Sequence, residues 1–278
     1  MTDRGWFHDL DEPDVERGAA AIRAGQAETP GPWPELAVEA GFVDSREEYY
    51  EALREATVEA ATAATAEKEQ ATGNQLVHAV RAMDHLTETE NELAERAAEW
   101  AGSQYGESRE GLEYVLEVSD RMPKTPVEAE IVDFAETVRD VHRRREHLRS
   151  FVAEQTPLLA PNLSMLAGPE LAARLIALAG GLETLAKKPS GTVQVLGAED
   201  ALFAHLEGHA PSPKHGIIFT HEYVRGTRPE KRGSAARALA GKLSIAARID
   251  HYRGERHPPL QTELDDRIER IRSGGEGQ

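Results

Sequence analysis

Apolar residues recur at alternating spacings of four and three along two long stretches of the chain. The first stretch covers residues 76–97, with Thr87 and Glu90 as polar members, and the second covers residues 127–152, where Arg145 interrupts the apolar positions. This spacing predicts two long helices, each with one narrow apolar stripe. Joined by a hairpin, they would pack as an antiparallel coiled coil. The alternative is a pair of core helices in a globular bundle, although core helices usually have a wider apolar face.

Shorter helices are predicted around these two. One begins after Ser45, because Asp44 or Ser45 can accept hydrogen bonds from the first amides of a helix and acidic residues occupy its first turn. An interruption is expected at residues 72–74 and a break at residues 101–106, where glycines occur. Further helices, separated by prolines and glycines, are predicted at residues 111–119, 169–178, 182–187, 198–206 and 234–249.

Composition favours an elongated helical architecture over a sandwich or barrel. Only 5% of the 278 residues are aromatic and alanine dominates the apolar residues, so any core should be thin and formed by helices. The predicted fold class is mainly α, in four segments. We expect a small amino-terminal cap domain at residues 1–43, an antiparallel coiled-coil domain at 44–155, a compact helical domain at 156–257 and a flexible tail at 258–278.

Charge and cysteine content limit the classes of function. The chain has no cysteine, which excludes disulfides and thiolate metal sites. The amino terminus lacks the apolar region of a signal peptide, and no apolar run approaches the roughly 20 residues that span a bilayer. We therefore expect a cytoplasmic protein without membrane contact. The net charge of -17, with arginine far more frequent than lysine, is typical of proteins from salt-loving organisms.

One segment, from Lys187 to Arg253, is basic within this acidic chain. It holds eleven lysines and arginines against six aspartates and glutamates, so the remainder of the chain has a net charge of about -22. A cationic surface in such a protein predicts a polyanionic partner, and we interpret the segment as the RNA-binding end. The residues expected to contact RNA are Lys188, Lys214, His221, Arg225, Arg228, Lys231, Arg232, Arg237, Lys242 and Arg248.

The loop at residues 211–232 is apolar at its start and basic afterwards, which suits a loop anchored in a core and presented to a partner. Its arginines can bind phosphates in a bidentate manner. His221 or Tyr223 could stack on an unpaired base. The alternative is a solvated hairpin without a ligand.

The helix predicted at residues 234–249 is expected to begin with a cap at Gly233-Ser234. Free amides at that end would form a phosphate site. Arg237, Gly241, Ser244 and Arg248 fall on roughly one face, whereas the leucines and Ile245 are predicted to point elsewhere. This face is therefore the main candidate for RNA contact.

Three blocks of the sequence carry a resemblance to a known family. They read GGLETLAKKPSGTVQVLGAEDALFAHL, SPKHGIIFTHEYV and KRGSAARALAGKLSIAARIDHYRGE. In this order and spacing they resemble the Nop domain, which occurs in the archaeal core protein of box C/D small ribonucleoproteins and its eukaryotic nucleolar and spliceosomal relatives. The match covers about residues 160–255, the coiled-coil region is similar more loosely, and the first seventy residues match least.

The resemblance implies a non-enzymatic scaffold without a cofactor, a catalytic residue or a metal site. Its implied partners are a box C/D guide RNA, a fibrillarin-type methyltransferase, and a kink-turn-binding ribosomal-type protein that holds the RNA. It also implies a homodimer through the coiled coil. The complex would guide 2'-O-methylation of RNA, with the methyl donor bound by fibrillarin. Residues 1–43 would be an abbreviated form of the fibrillarin-binding domain.

Protein contacts are expected at three groups of residues. Gly197-Ala198-Glu199 matches the GAE motif of the family, in which Glu199 is interpreted as a cap and organiser. Relatives usually continue this motif with lysine and some have a stacking histidine before His221, whereas this chain has Asp200 and Thr220. The other predicted contacts are Trp33, Tyr49 and Tyr50, as interface anchors or as the core of a small domain, and Ile131, Phe134 and Val138 in the dimer seam.

Two rival functions come from other classes. The first is a stand-alone coiled-coil RNA-binding protein without a methyltransferase partner. The second is a metal-dependent nuclease, for which the ligands would be drawn from His205, His209, His215 and His221. The chain has no phosphate-cradling loop, dinucleotide fingerprint or nucleophile elbow, so catalysis by this chain alone is not expected.

Overall fold

The structure is a computed structural model that describes residues 5–25, 31–70 and 72–274. These residues belong to two compact units, Met1–Ala71 and Thr72–Gln278. All regular elements in the described ranges are helical, which confirms the mainly α fold class. The predicted domain boundary at residues 155–156 lies within a helix, and the four-segment division stays a prediction.

The first unit contains three helices around an aromatic core. They are α1 (Val15–Ala24), α2 (Trp33–Glu39) and α3 (Arg46–Gln70). Helix α3 begins as predicted, because the Glu48 amide donates to Ser45 Oγ at 3.2 Å and the Glu48 carboxylate accepts from the Asp44 amide at 2.8 Å. Phe7, Phe42 and Tyr49 are buried together in the core.

Two helices of 34 residues each, α4 (Thr72–Tyr105) and α6 (Pro126–Leu159), form an antiparallel hairpin, with the short α5 (Leu112–Ser119) between them in sequence. The antiparallel arrangement brings Gly73 near Leu159 at one end. An interruption was predicted at residues 72–74, and α4 begins at Thr72, next to residue 71, which lies outside the described ranges. The break predicted at residues 101–106 lies at Gly106, whose φ of 68° ends the helix.

The apolar seam of the hairpin is buried between helices of the same chain. Ile131 and Val138 of α6 are fully buried against α4 and α5, and Phe134 is partly buried at the edge of the same cluster. Four alanines of α4 provide the flat opposite surface: Ala94, Ala97, Ala98 and Ala101. Val127 was predicted in the seam but is 48% exposed, because it lies in the first turn of α6.

A charged group crosses this seam where the apolar pattern is interrupted. Arg145 donates from Nη1 to Glu90 Oε1 at 3.0 Å, and Glu90 is only 2% exposed. His142 lies 3.5 Å from the second carboxylate oxygen of Glu90, and Arg145 also contacts Glu146 at 2.7 Å. The two polar positions that break the sequence pattern are therefore partners of each other.

The remaining helices follow α6 in sequence, and most of them share one apolar core with the base of the hairpin. They are α7 (Pro161–Ala167), α8 (Pro169–Ala179), α9 (Leu182–Lys187), α10 (Ser190–Val195), α11 (Glu199–Leu206), α12 (Glu222–Arg225), α13 (Arg232–Tyr252) and α14 (Pro259–Ser273), with a 3-10 turn at Ile217–Thr220 before α12. Leu76, Val80 and Val152 of the hairpin belong to this core. Buried Asp250 at the end of α13 accepts from the amides of Asn162 and Leu163, which caps α7.

The tail predicted at residues 258–278 contains a helix, α14, in its described part. Helix α14 buries Leu260, Leu264 and Ile268, spaced by four residues, in the main core. This spacing places all three side chains on one face of the helix. Residues 275–278 lie outside the described ranges.

We expect Arg145→Leu to destabilise the hairpin, because it leaves the Glu90 carboxylate buried without its main partner. The cost should be roughly 2 to 3 kcal/mol, below that of breaking a fully buried pair, since Arg145 remains partly exposed. Replacing both residues by leucine should recover most of the loss. Thermal unfolding followed by circular dichroism measures the effect, with exposed Arg144→Leu as the control. Equal stability of the single and double variants would contradict a specific Glu90–Arg145 interaction.

Candidate nucleic-acid interface

Helix α13 leaves one face exposed over most of its length. Arg237 is exposed, and Gly241 has open space where a side chain would begin. Ile245 and Tyr252, 40% and 65% exposed, continue the face at helical spacing, together with Arg248. The prediction that Ile245 points elsewhere is therefore wrong, and the sequence interpretation missed Tyr252, whose position four residues after Arg248 could have revealed it.

The start of α13 differs from the predicted cap. The helix begins at Arg232, with Lys231 as N-cap and no capping side chain, so Gly233 and Ser234 lie inside its first turn. The amides of Ser234 and Ala235 both donate to the Lys231 carbonyl, at 3.0 Å each. Ser244 is also not part of the exposed face, because it is buried in the core.

Four of the predicted RNA-binding cations make contacts within the chain. Lys242 pairs with Glu263 of α14, and this pairing lowers the pKa of the Glu263 carboxyl. Arg248 donates from Nε to the Ala186 carbonyl at 3.2 Å, which leaves its terminal nitrogens for other partners. Arg232 binds the Thr227 carbonyl at 3.1 Å and lies over the Phe219 ring, while Arg228 donates to the Arg272 carbonyl.

The other five cations have no side-chain acceptor within the described parts of the chain. Lys214, Arg225 and Arg237 are exposed, while Lys188 and Lys231 are partly buried. The guanidinium groups of Arg225 and Arg237 are therefore free to meet an anion. The loop that carries Arg225 is anchored by a buried apolar root, as the sequence predicts, formed by Ile218 and Val224.

His221 has its two ring nitrogens engaged inside the protein. Nδ1 accepts from the Tyr223 amide at 3.1 Å and thereby caps α12, so Nε2 carries the proton that is donated to the Leu166 carbonyl at 3.1 Å. Burial lowers the pKa of this imidazole. The ring also packs edge-on against Tyr223, with 4.6 Å between centroids. These contacts fix the loop, and base stacking by His221 stays a prediction.

Helix α14 fastens the segment at residues 222–228. The Tyr223 hydroxyl donates to Asp265, and burial together with this carboxylate raises the pKa of Tyr223 to about 12. Arg272 donates to Thr227 Oγ1 at 3.2 Å and to the Glu222 carbonyl at 2.9 Å. The sequence interpretation missed these residues, because contacts between positions more than forty apart leave no local pattern.

A cavity of about 880 Å³ opens between α6, α8 and α12. Arginines from all three helices line it, namely Arg149, Arg174 and Arg225, together with the acidic Glu170 and Glu222. Only Arg225 among these was predicted as a site residue.

The motif at residues 197–199 forms a tight turn before α11. Gly197 has a φ of 78°, and a side chain there would begin 3.3 Å from Ile217, so glycine suits both its conformation and its surroundings. The Glu199 carboxylate accepts from the Gly197 amide at 2.9 Å, the organising role predicted for it. Ala198 is the N-cap of α11, a helix in which Phe203 and Leu206 are strongly exposed.

The four histidines considered as metal ligands have separate environments. His205 contacts the Ala210 carbonyl at 3.0 Å, His209 lies 3.4 Å from Glu207, and His215 stacks on Phe219 with 4.5 Å between centroids. Within residues 5–25, 31–70 and 72–274, no group of three or more potential ligand side chains is placed to hold a metal ion.

The aromatic residues predicted as anchors in the first unit differ in exposure. Tyr49 is 1% exposed, and its hydroxyl accepts from Trp6 Nε1 at 3.2 Å, so it is a core residue and not a surface anchor. Trp33 packs partly against this core. Tyr50 is 52% exposed and its ring meets Tyr49 edge-on. Tyr49 therefore belongs to the core of a small domain, whereas Tyr50 is accessible and its role as an interface anchor stays a prediction.

The family model described as "snoRNA binding domain, fibrillarin" matches residues 33–271. The chain belongs to the Nop family. This match extends well beyond the basic segment and includes the hairpin and α14.

Similarity to other Nop proteins is strongest over about half of the chain. An uncharacterized NOP5 family protein of Methanocaldococcus jannaschii is 49% identical over 142 residues, which are 51% of this chain and 34% of that protein. Nucleolar protein 56 of Schizosaccharomyces pombe is 41% identical over 122 residues, 44% of this chain and 24% of that protein. The matched region is thus about a third or less of these relatives.

A solved structure of a fibrillarin/NOP5p complex contains a chain with a similar fold. The TM-score is 0.54 and the identity 26%, with 92% of each chain covered. The two positions at which this chain departs from the expected Nop motifs, Asp200 and Thr220, are both exposed. In the described part of the chain, no helix combines the length and apolar character needed to cross a membrane.

Proposed function

We propose that this Nop protein is a non-enzymatic scaffold of an archaeal box C/D guide ribonucleoprotein. It would bridge a fibrillarin-type methyltransferase to kink-turn RNA and its bound ribosomal-type protein, in the cytoplasm, and so direct 2'-O-methylation of RNA. The observation that carries this proposal is the family match over residues 33–271. The description of that family names both snoRNA binding and fibrillarin. The likeness to a chain of a fibrillarin/NOP5p complex adds support.

The RNA would bind along the exposed face of α13. Arg237 and Arg248 lie eleven residues apart on this face, about 16 Å along the helix axis. Gly241 lies between them, and the open space above it would let a sugar-phosphate backbone approach closely. Arg225 and Lys188 extend the positive surface on neighbouring elements. Because the basic surface is modest, binding should be weak on naked guide RNA and much tighter when the kink-turn protein is present.

We expect Arg237→Glu or Arg248→Glu to weaken assembly with guide RNA and the kink-turn protein. Each variant removes a phosphate contact and should reduce the slope of log affinity against log salt by about 1. Electrophoretic mobility shifts at several salt concentrations measure this. Arg144→Glu, an equal charge change on exposed α6, should have little effect. Wild-type affinity of both α13 variants at every salt concentration would remove this helix from the interface.

A second copy of the chain would bind on the outside of the hairpin. Ile131 and Val138 were predicted to contact the partner, but they are fully buried between α4, α5 and α6 and are not available to it. A different stripe is accessible, in which Leu93 is partly exposed and Trp100, seven residues later, is 41% exposed. The Trp100 ring lies 6.3 Å from Phe134 of α6. Apolar residues spaced by seven are typical of a coiled-coil contact.

We expect Leu93→Glu together with Trp100→Glu to abolish self-association while the helix content stays unchanged, because both side chains reach solvent in the single chain. Multi-angle light scattering and circular dichroism provide the two measurements. Met122→Glu, at a position 89% exposed near the hairpin end, serves as the control. The predicted pair Ile131→Asp and Val138→Asp should instead unfold the hairpin. A dimer that survives the two glutamate substitutions in α4 would exclude this surface.

The methyltransferase would bind the first unit, where Tyr50 offers exposed aromatic area beside a packed core. Deletion of residues 1–43 should abolish methyltransferase binding and leave dimerisation and RNA assembly intact. Tyr50→Ala should weaken binding roughly tenfold without unfolding the unit, whereas Val58→Ala, at a similarly exposed position of the same helix, should not. Pull-down with purified fibrillarin measures both.

That pull-down also separates the proposal from its rival. A chain that assembles with guide RNA but recruits no methyltransferase would be a stand-alone RNA-binding protein. Undiminished methyltransferase on the truncated chain would move the docking surface to the hairpin.

A further inference from the structure

The cavity between α6, α8 and α12 has an arrangement of charge that the proposed scaffold role does not use. Arg149, Arg174 and Arg225 reach it from three different helices. The Glu170 carboxylate lies between two of them, 3.3 Å from Arg149 Nε and 3.8 Å from Arg174 Nη2. The Arg225 guanidinium has no acceptor in the described part of the chain. Three guanidinium groups and two carboxylates, Glu170 and Glu222, therefore line the cavity, and Glu170 contacts two of the guanidinium groups.

The contacts of Glu170 can be exchanged at small cost. The Arg149 and Glu170 side chains are 58% and 44% exposed, and ion pairs at such exposure contribute about 1 kcal/mol or less. Arg149 has a second long contact, 3.6 Å to Glu146. Arg174 is held independently by Asp84 at 2.8 Å, so it would keep its place if Glu170 moved away. The Arg174 guanidinium is thus positioned without Glu170, whereas Arg149 would keep only its long contact to Glu146.

The remaining wall of the cavity also favours an anion. Helix α8, eleven residues long, begins here with Gly168 as N-cap, which has no side chain to accept from the first-turn amides. Inside the cavity, Arg149 and Arg174 share one acceptor, the Glu170 carboxylate. A ligand with oxygens directed to several sides suits guanidinium groups that line one cavity from three helices. A phosphate has this tetrahedral form, whereas a carboxylate presents two oxygens in one plane.

We propose that this cavity binds a phosphate group of the RNA, which displaces the Glu170 carboxylate from Arg149 and Arg174. The proposal rests on the scaffold function. It favours RNA over an acidic peptide because Arg225 belongs to the basic segment, which also supplies the cations on the exposed face of α13. Arg225 lines the cavity from α12, Arg149 from α6 and Arg174 from α8. Glu170 fills the site while RNA is absent.

The decisive variant is Glu170→Gln, because it should strengthen binding. It removes the competing charge while keeping the size of the side chain, so affinity for guide RNA with the kink-turn protein should rise several-fold. Arg149→Ala with Arg225→Ala should lower affinity by about tenfold or more and reduce the salt slope by about 2. Arg225→Lys should recover only part of the loss, since lysine lacks the bidentate geometry. Arg144→Ala and Arg267→Ala are controls on exposed helix surfaces.

Filter binding of labelled guide RNA to the full chain and the kink-turn protein gives the affinities, and calorimetry with inorganic phosphate gives a second arm. Stronger RNA binding by Glu170→Gln and weaker binding by the arginine variants support the proposal. Unchanged or weaker binding by Glu170→Gln would overturn it, as would an effect confined to inorganic phosphate. A loss of affinity for an acidic peptide of a partner, with RNA binding intact, would also overturn it.

The scaffold function and the cavity can fail separately. If Arg237→Glu disrupts assembly while the cavity variants do not, the scaffold role stands and the cavity assignment is wrong. If the wild-type chain does not assemble with guide RNA at any salt concentration, the proposed function itself is wrong.

Discussion

The burial of one face of α13 is the constraint on which the second unit depends. Alanines and leucines along this helix are almost completely inaccessible to solvent: Ala235, Ala236, Leu239, Ala240, Leu243, Ala246 and Ala247. Alanines let neighbouring helices approach closely, and α7, α9, α10, α12 and α14 all pack against α13. The same helix leaves its other face open to solvent. One element thus forms the core and presents the charges that a polyanion would meet.

The parts of the fold that depend on local pattern could be predicted from the sequence. The spacing of apolar residues predicted both hairpin helices, because a narrow seam must repeat along the whole contact. Ser45 could be recognised as a cap since its hydrogen bond joins residues three apart. The start of α13 was misplaced because a glycine-serine pair resembles a cap, although the helix begins at Arg232 without one.

The sequence predicted which basic residues form the candidate site, but it did not predict which of them are paired within the chain. The sequence identified the basic segment, but the acidic partner of Lys242 lies 21 residues away and the carbonyl that Arg228 contacts lies 44 residues away. Such contacts are decided by how helices pack, so charge counting overestimates the cations that are free. The packing of α14 was a different kind of omission. Its three buried residues have a clear spacing of four, but the sequence interpretation treated the segment as a flexible tail and did not use this spacing.

The hydrogen bonds between α14 and the segment at residues 222–228 have a consequence for the timing of assembly. A ribosome produces the chain from its amino end, so the basic segment emerges before Asp265 and Arg272 exist. Until those residues arrive, the hydroxyls of Tyr223 and Thr227 and the Glu222 carbonyl lack these partners. Nascent chains would therefore expose cationic side chains on an unfastened segment, and only translation beyond α14 converts this segment into a defined surface.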